Sequence, residues 1–100
     1  MILYIDTTNF EKGVFAISDG KRVKKKIYKL DPCKSNEILQ ILEGFLKTAR
    51  CPLSAVRFIQ VNKGPGSYTG TRIGITIANA LSMVWNVPAK FAAKKEFRIA

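Results

Sequence analysis

The sequence predicts an α/β domain built on a mixed sheet, and three observations predict it. A short β-branched and aromatic run at 2–5 is followed by two segments with the pattern of a β-hairpin. An amphipathic helix pattern at 31–49 leads into a second, denser apolar run at 56–61. A glycine-proline loop then runs directly into another helix pattern that ends near Trp85. The chain has 100 residues, 47% hydrophobic and 24% charged, which suits one domain rather than two.

Residues 2–5, "ILYI", read as a buried first strand stopped by the turn and cap formers Asp6, Thr7, Thr8 and Asn9. "GVFAIS" at 13–18, Asp19-Gly20, and the basic segment from Lys21 to Leu30 form the hairpin, with Asp-Gly expected to supply a tight type I′ turn. In the second arm Val23 and Ile27 share a face with Lys21, Lys25 and Lys29, and Arg22, Lys24, Lys26 and Tyr28 take the other. Lysines there protect an exposed strand from edge-to-edge association or meet RNA phosphates. In the helix at 31–49 the apolar stripe is Ile38, Leu39, Ile41, Leu42, Phe45 and Leu46, with Ser35 or Asn36 as cap. "VRFIQV" has the density of an interior parallel strand. After Trp85, Asn86-Val87-Pro88 ends the second helix, and 89–100 is too short and mixed to assign. This order of elements admits a ribonuclease-H-like topology among several.

The long motif "GPGSYTGTRIGITIANAL" at 64–81 invites a phosphate-loop reading, and its spacing argues against one. A Walker A loop needs lysine after its last glycine, whereas Thr71-Arg72 follows Gly70. In the dinucleotide fingerprint the third glycine falls on Thr69. A looser anion site would use helix amides with Asp6, Gly66 and Arg72. The competing pattern is Gly70, Gly74 and Ala78 at intervals of four, a small-residue stripe that lets another backbone approach, within this chain or from another. Ile73, Ile75, Ile77, Leu81 and Trp85 make the same helix apolar nearly all round, as expected of a helix with two neighbours.

Composition removes much chemistry. There is no histidine, which excludes imidazole acid–base catalysis and histidine metal sites. Seven scattered carboxylates and two separated cysteines, Cys33 and Cys51, outline no metal cluster, and the cysteines read as reduced thiols. Ser67 and Thr69 have no base partner and read as loop or cap hydroxyls. No catalytic residue, metal or cofactor is therefore expected. No apolar run is long enough for a membrane span, and Asp6 interrupts the opening one, so the expectation is a cytoplasmic chain without membrane contact. A net charge of +10 attracts polyanions without specifying one.

"ILYIDTT" at the start, "GPGSYTGTRIGITIANAL" in the middle, and the helix-strand spacing between them resemble the TsaB (YeaZ) family. That family is the noncatalytic component of the bacterial machinery making N6-threonylcarbamoyladenosine (t6A) in tRNA. The resemblance implies a ribonuclease-H-like lobe of the actin-like ATPase superfamily, with 1–100 matching the first of two lobes and the second absent. It implies a TsaD-like catalytic partner, a TsaE-like ATPase in the same machinery, tRNA contact within the complex, and homodimerisation through the first-lobe helices when alone. Carried over, the partner surface comprises Ile38, Leu42 and Phe45 on the first helix and Gly70, Ile73, Gly74, Ile77, Ala78 and Leu81 on the second. A bulky residue at 74 is then expected to block pairing and leave the monomer folded. Two alternatives stand beside this reading, a nucleotide-binding actin-like lobe and a small basic RNA-binding module.

Overall fold

The first strand, β1 (Ile2–Asp6), lies in the middle of a five-stranded sheet in a computed structural model that describes residues 1–9, 11–29 and 35–99. Around it are β2 (Lys12–Ser18), β3 (Val23–Lys29), β4 (Phe58–Asn62) and β5 (Ala89–Ala92), in the order β3-β2-β1-β4-β5. The first three strands are antiparallel, and β4 and β5 continue the sheet parallel to β1. Two helices, α1 (Ser35–Thr48) and α2 (Tyr68–Trp85), supply the other layer.

Period-2 alternation explains how the sheet separates two cores. Leu3, Ile5, Phe15, Ile17, Tyr28, Ile59 and Val61 form one buried cluster with Ile38, Leu42, Phe45 and Leu46 of α1 and Ile77 and Ala78 of α2. Tyr4, Ala16 and Ala92 form the second cluster on the opposite face, closed by Phe97. The Phe97 ring meets Tyr4 edge-on, with centroids 6.0 Å apart. The tail that seemed too mixed to assign thus provides both an edge strand and a cover. Its backbone is tied in by Lys63 N–H to the Ala92 carbonyl at 2.9 Å and Lys94 N–H to the Gly64 carbonyl at 2.8 Å.

The hairpin forms, with a different turn from the one expected. Ser18 pairs with Val23, so four residues connect the arms and not the two of a type I′ turn. Only Gly20, with φ of 94°, takes a positive angle there. The Asp19 carboxylate accepts from Lys21 N–H at 2.8 Å and Arg22 N–H at 2.7 Å, closing an Asx-type loop that the tight turn would forgo. These amides, Arg22 first, hold the Asp19 carboxyl below the usual carboxylate range.

Helix α2 starts and stops by capping. The Ser67 hydroxyl accepts from Gly70 N–H at 3.2 Å, and Asn86 ends the helix in the left-handed region at φ 54°. In α1, Ser35 and Asn36 both fall inside the helix, so neither is its preceding cap. The expected entry residues at 31–34, Cys33 among them, lie outside the described residues. Cys51 is a free, buried thiol that desolvation pushes above the ordinary thiol range.

Tyr28 is the only buried residue of β3, and its ring stacks on Phe15 at 4.8 Å. Its buried hydroxyl has no hydrogen-bond partner among the described residues, and burial first, then the Asp6 charge, raises its pKa above the ordinary tyrosine value of 10.0. Stability linked to the neutral phenol is therefore complete below pH 10.0 and declines as pH rises toward the elevated folded-state value. Tyr28→Phe is expected to leave stability at pH 7 unchanged or raise it by up to about 1 kcal/mol, since an unpaired buried hydroxyl is removed. It should also flatten the loss of stability above pH 10.0, which denaturant melts at pH 8 and pH 11 would show.

Candidate partner surface and glycine loop

The glycine loop is built against the end of β1. Asp6 Oδ1 accepts from both Thr8 N–H at 3.0 Å and the Thr8 hydroxyl at 2.7 Å, and its other oxygen accepts from Asn62 Nδ2 at 3.3 Å. Asn62, buried at the end of β4, turns its own carbonyl to Gly64 N–H at 2.9 Å. Ser67 N–H donates to the Thr8 carbonyl at 2.7 Å. Gly66 lies so close that a Cβ there would stand 2.5 Å from the same carbonyl. Glycine at 66 is thus explained by a protein backbone.

The three residues of the anion-site expectation are not gathered into one site. Asp6 and Gly66 share Thr8 as a neighbour, in the contacts just described. Arg72 donates from Nη1 to the Tyr68 hydroxyl at 2.7 Å and its guanidinium carbon sits 5.3 Å from that ring's centre, one turn back on an exposed part of α2. It lines a groove with Asn36 and Leu39 of α1. Among the described residues, no group of three metal-ligating side chains occurs.

The small-residue stripe faces inward. A Cβ on Gly74 would overlap Thr7 Oγ1 and stand 3.4 Å from a methyl of Ile5. The Thr7 hydroxyl reaches across to donate to the Gly70 carbonyl at 2.5 Å, and Ala78 is fully buried. Gly70 and Gly74 thus meet Thr7 and Ile5 at the end of β1, and Ala78 is buried in the helix-side core, so the stripe packs within the chain. Ile38, Leu42, Phe45 and Ile77 are likewise core residues, between 2% and 8% exposed. In the single chain these seven positions are buried, because the sheet needs the same residues to cover it. Ile73 and Leu81 are only partly buried.

What the helical layer turns outward is a different apolar set. Between α1 and α2 runs a groove of about 480 Å³ lined by Leu39, Tyr68, Ile73 and Thr76. A second groove of about 430 Å³ is lined by Leu39, Leu46, Pro52, Leu81 and Trp85. Leu39 is 50% exposed and Tyr68 73%, while Met83 and Val84, near the end of α2, are 84% and 78% exposed. Sequence reasoning missed Leu39, Tyr68, Met83 and Val84 as surface residues. The available signal was helical phase: Met83 is nine residues from Gly74, half a turn out of step with the stripe.

A mixed sheet in this order with helices on one side defines a ribonuclease-H-like lobe of the actin-like ATPase superfamily. Residues 33–91 match the family described as TsaD, tRNA N6-adenosine threonylcarbamoyltransferase. The tRNA threonylcarbamoyladenosine biosynthesis protein TsaB of Bacillus subtilis is 30% identical over 95 residues, covering 95% of this chain and 42% of that protein. Its namesake in Escherichia coli is 33% identical over 88 residues, 87% of this chain and 37% of the relative. A solved structure of YeaZ from Pseudomonas aeruginosa superposes with a TM-score of 0.80 at 26% identity, over 92% of this chain and 42% of the other. The chain belongs to the family that this model describes, and it is similar to the TsaB (YeaZ) proteins over nearly its whole length. It spans less than half the length of these relatives.

Proposed function

We propose that this chain acts in tRNA N6-threonylcarbamoyladenosine synthesis as a noncatalytic subunit, and that the outward face of α1 and α2 docks a TsaD-like catalytic subunit. The observation carrying the reading is the unpartnered apolar face: Leu39, Tyr68, Met83 and Val84 are at least half exposed on two helices whose other sides already cover the sheet. The relatives named for t6A biosynthesis supply the chemistry of the partner. Burial of such aliphatic and aromatic anchors is what dominates stable interfaces. In the absence of the catalytic subunit, the same face pairs two copies of this chain, and a TsaE-like ATPase and tRNA join only in the full assembly. The nucleotide-binding alternative has less support, because Asp6 is engaged by Thr8 and Asn62 and the Gly66 backbone is held against Thr8.

The test is light scattering and titration calorimetry with a TsaD homologue from the same source. Leu39→Glu combined with Met83→Glu is expected to weaken the complex by roughly 100-fold or more, as loss of central hot spots does. The thermal midpoint of the free chain should hardly change, since both side chains are largely exposed. Undiminished affinity in the double variant would overturn the assignment of this face.

A further inference from the structure

The basic hairpin plays no part in the partner surface, and it forms one wall of a separate groove. Between β3 and the C-terminal half of α1 lies a cleft of about 610 Å³, lined by Lys24, Lys25 and Lys26 on one side and by Ile41, Phe45 and Thr48 on the other. Among the described residues, no acidic side chain lines it. Lys24 donates from Nζ to the Ala49 carbonyl at 3.1 Å, so its ammonium is held at the rim, where the end of a helix favours a cation. A neighbouring hollow shares Lys24 and Ala49 and adds Arg22 together with Asp19, so the uniformly basic stretch ends at the hairpin loop. The matched family segment starts at residue 33, so the hairpin stands outside it.

We propose that this groove binds the phosphodiester backbone of a nucleic-acid strand. Lys24 and Lys26 project from one face of β3 two residues apart, about 6.6 Å along a strand, close to the separation of successive phosphates. Lysine is a compact point charge with three rotatable donors, suited to phosphate oxygens whose positions vary. An acidic peptide is the other polyanion of matching charge. It would add to the sheet by main-chain pairing along β3, and an edge crowded with lysines disfavours that mode. A nucleic-acid strand needs no such pairing, and the partly buried Ile41 on the opposite wall offers an apolar surface for its sugars. The proposal is independent of the partner-subunit reading, and the isolated chain suffices to test it.

The experiment is fluorescence anisotropy with a labelled RNA stem-loop and a DNA stem-loop of the same sequence, repeated across salt concentrations. The comparison is between the wild-type chain, Lys24→Gln/Lys26→Gln, and a control of equal charge loss, Lys90→Gln/Lys94→Gln. The hairpin variant should bind roughly tenfold more weakly, and its salt slope should fall by about 1.4–1.8, the value for two lost phosphate contacts. RNA and DNA should respond alike, because phosphate contacts carry no base or sugar reading. On the wild-type chain, bound RNA should shield Lys24 and Lys26 from acylation, read by mass spectrometry without any variant. Equal losses in the control, unshielded lysines, a strong preference for RNA, or displacement by poly-glutamate at matched charge would each overturn the proposal. The last outcome would assign the groove to an acidic peptide.

Discussion

Gly74→Leu is expected to destabilise the chain itself by about 2–4 kcal/mol, a fifth or more of what a domain of this size is worth if its stability is near 5–10 kcal/mol. The reason is the geometry at β1. The first atom of any side chain at 74 overlaps Thr7 Oγ1, and Ile5 lies beyond it, so there is no flexible end to displace. Making room means moving α2 off the strand, which breaks the Thr7–Gly70 hydrogen bond and leaves a buried hydroxyl unpaired, a cost of about 1–3 kcal/mol by itself. Leucine recovers about 1 kcal/mol in helix propensity, which offsets only part. Denaturant melts of wild type, Gly74→Ala and Gly74→Leu should form a descending series. A Gly74→Leu chain that melts like wild type but fails to assemble would restore the sequence expectation of a glycine surface between chains.

That expectation shows where the sequence was legible and where it was not. The small stripe on α2 correctly announced a close backbone approach, and spacing contained nothing about which backbone. The answer sits in Thr7, sixty-three residues upstream of Gly70, whose hydroxyl reads as an ordinary turn former until β1 and α2 are brought together. The strands at 2–6 and 58–62 were readable because β1 opens with the continuous apolar run Ile2–Ile5 and β4 carries Phe58, Ile59 and Val61 within five residues. β5 was not, because four residues of mixed character acquire their strand from pairing with β4, and only Ala92 among them is buried, in the cluster closed by Phe97. The loop between the hairpin arms was misjudged for a local reason: Asp19 uses its carboxylate to bind two amides, which competes with the two-residue turn that Asp-Gly also permits. In the candidate site, apolar residues on the helices were identified as important, and the division between those facing the sheet and those facing outward required the structure.

Phe15→Ala is expected to cost about 3–5 kcal/mol, and its effect should be concentrated in the basic edge strand. Phe15 is the largest of the fully buried side chains and sits in β2 opposite Lys26, with its ring against Tyr28 at an interplanar angle of 22°. Tyr28 is the only residue by which β3 enters the core, and its ring also lies over Gly13, where a Cβ would collide with it. Truncating Phe15 therefore removes a wall from the single anchor of β3 as well as opening a cavity. Hydrogen exchange should report this as amides of β3 opening well before those of β1 and β4, whereas a purely global loss would accelerate all three strands together. Phe15→Leu, which retains most of the volume, should lose less and keep β3 protected. Since Lys24 and Lys26 hold their spacing only while β3 is paired, Phe15→Ala should also weaken stem-loop binding without altering any charge. Unchanged binding together with selective opening of β3 would show that the lysines act as a diffuse cloud and not as a row fixed by the strand.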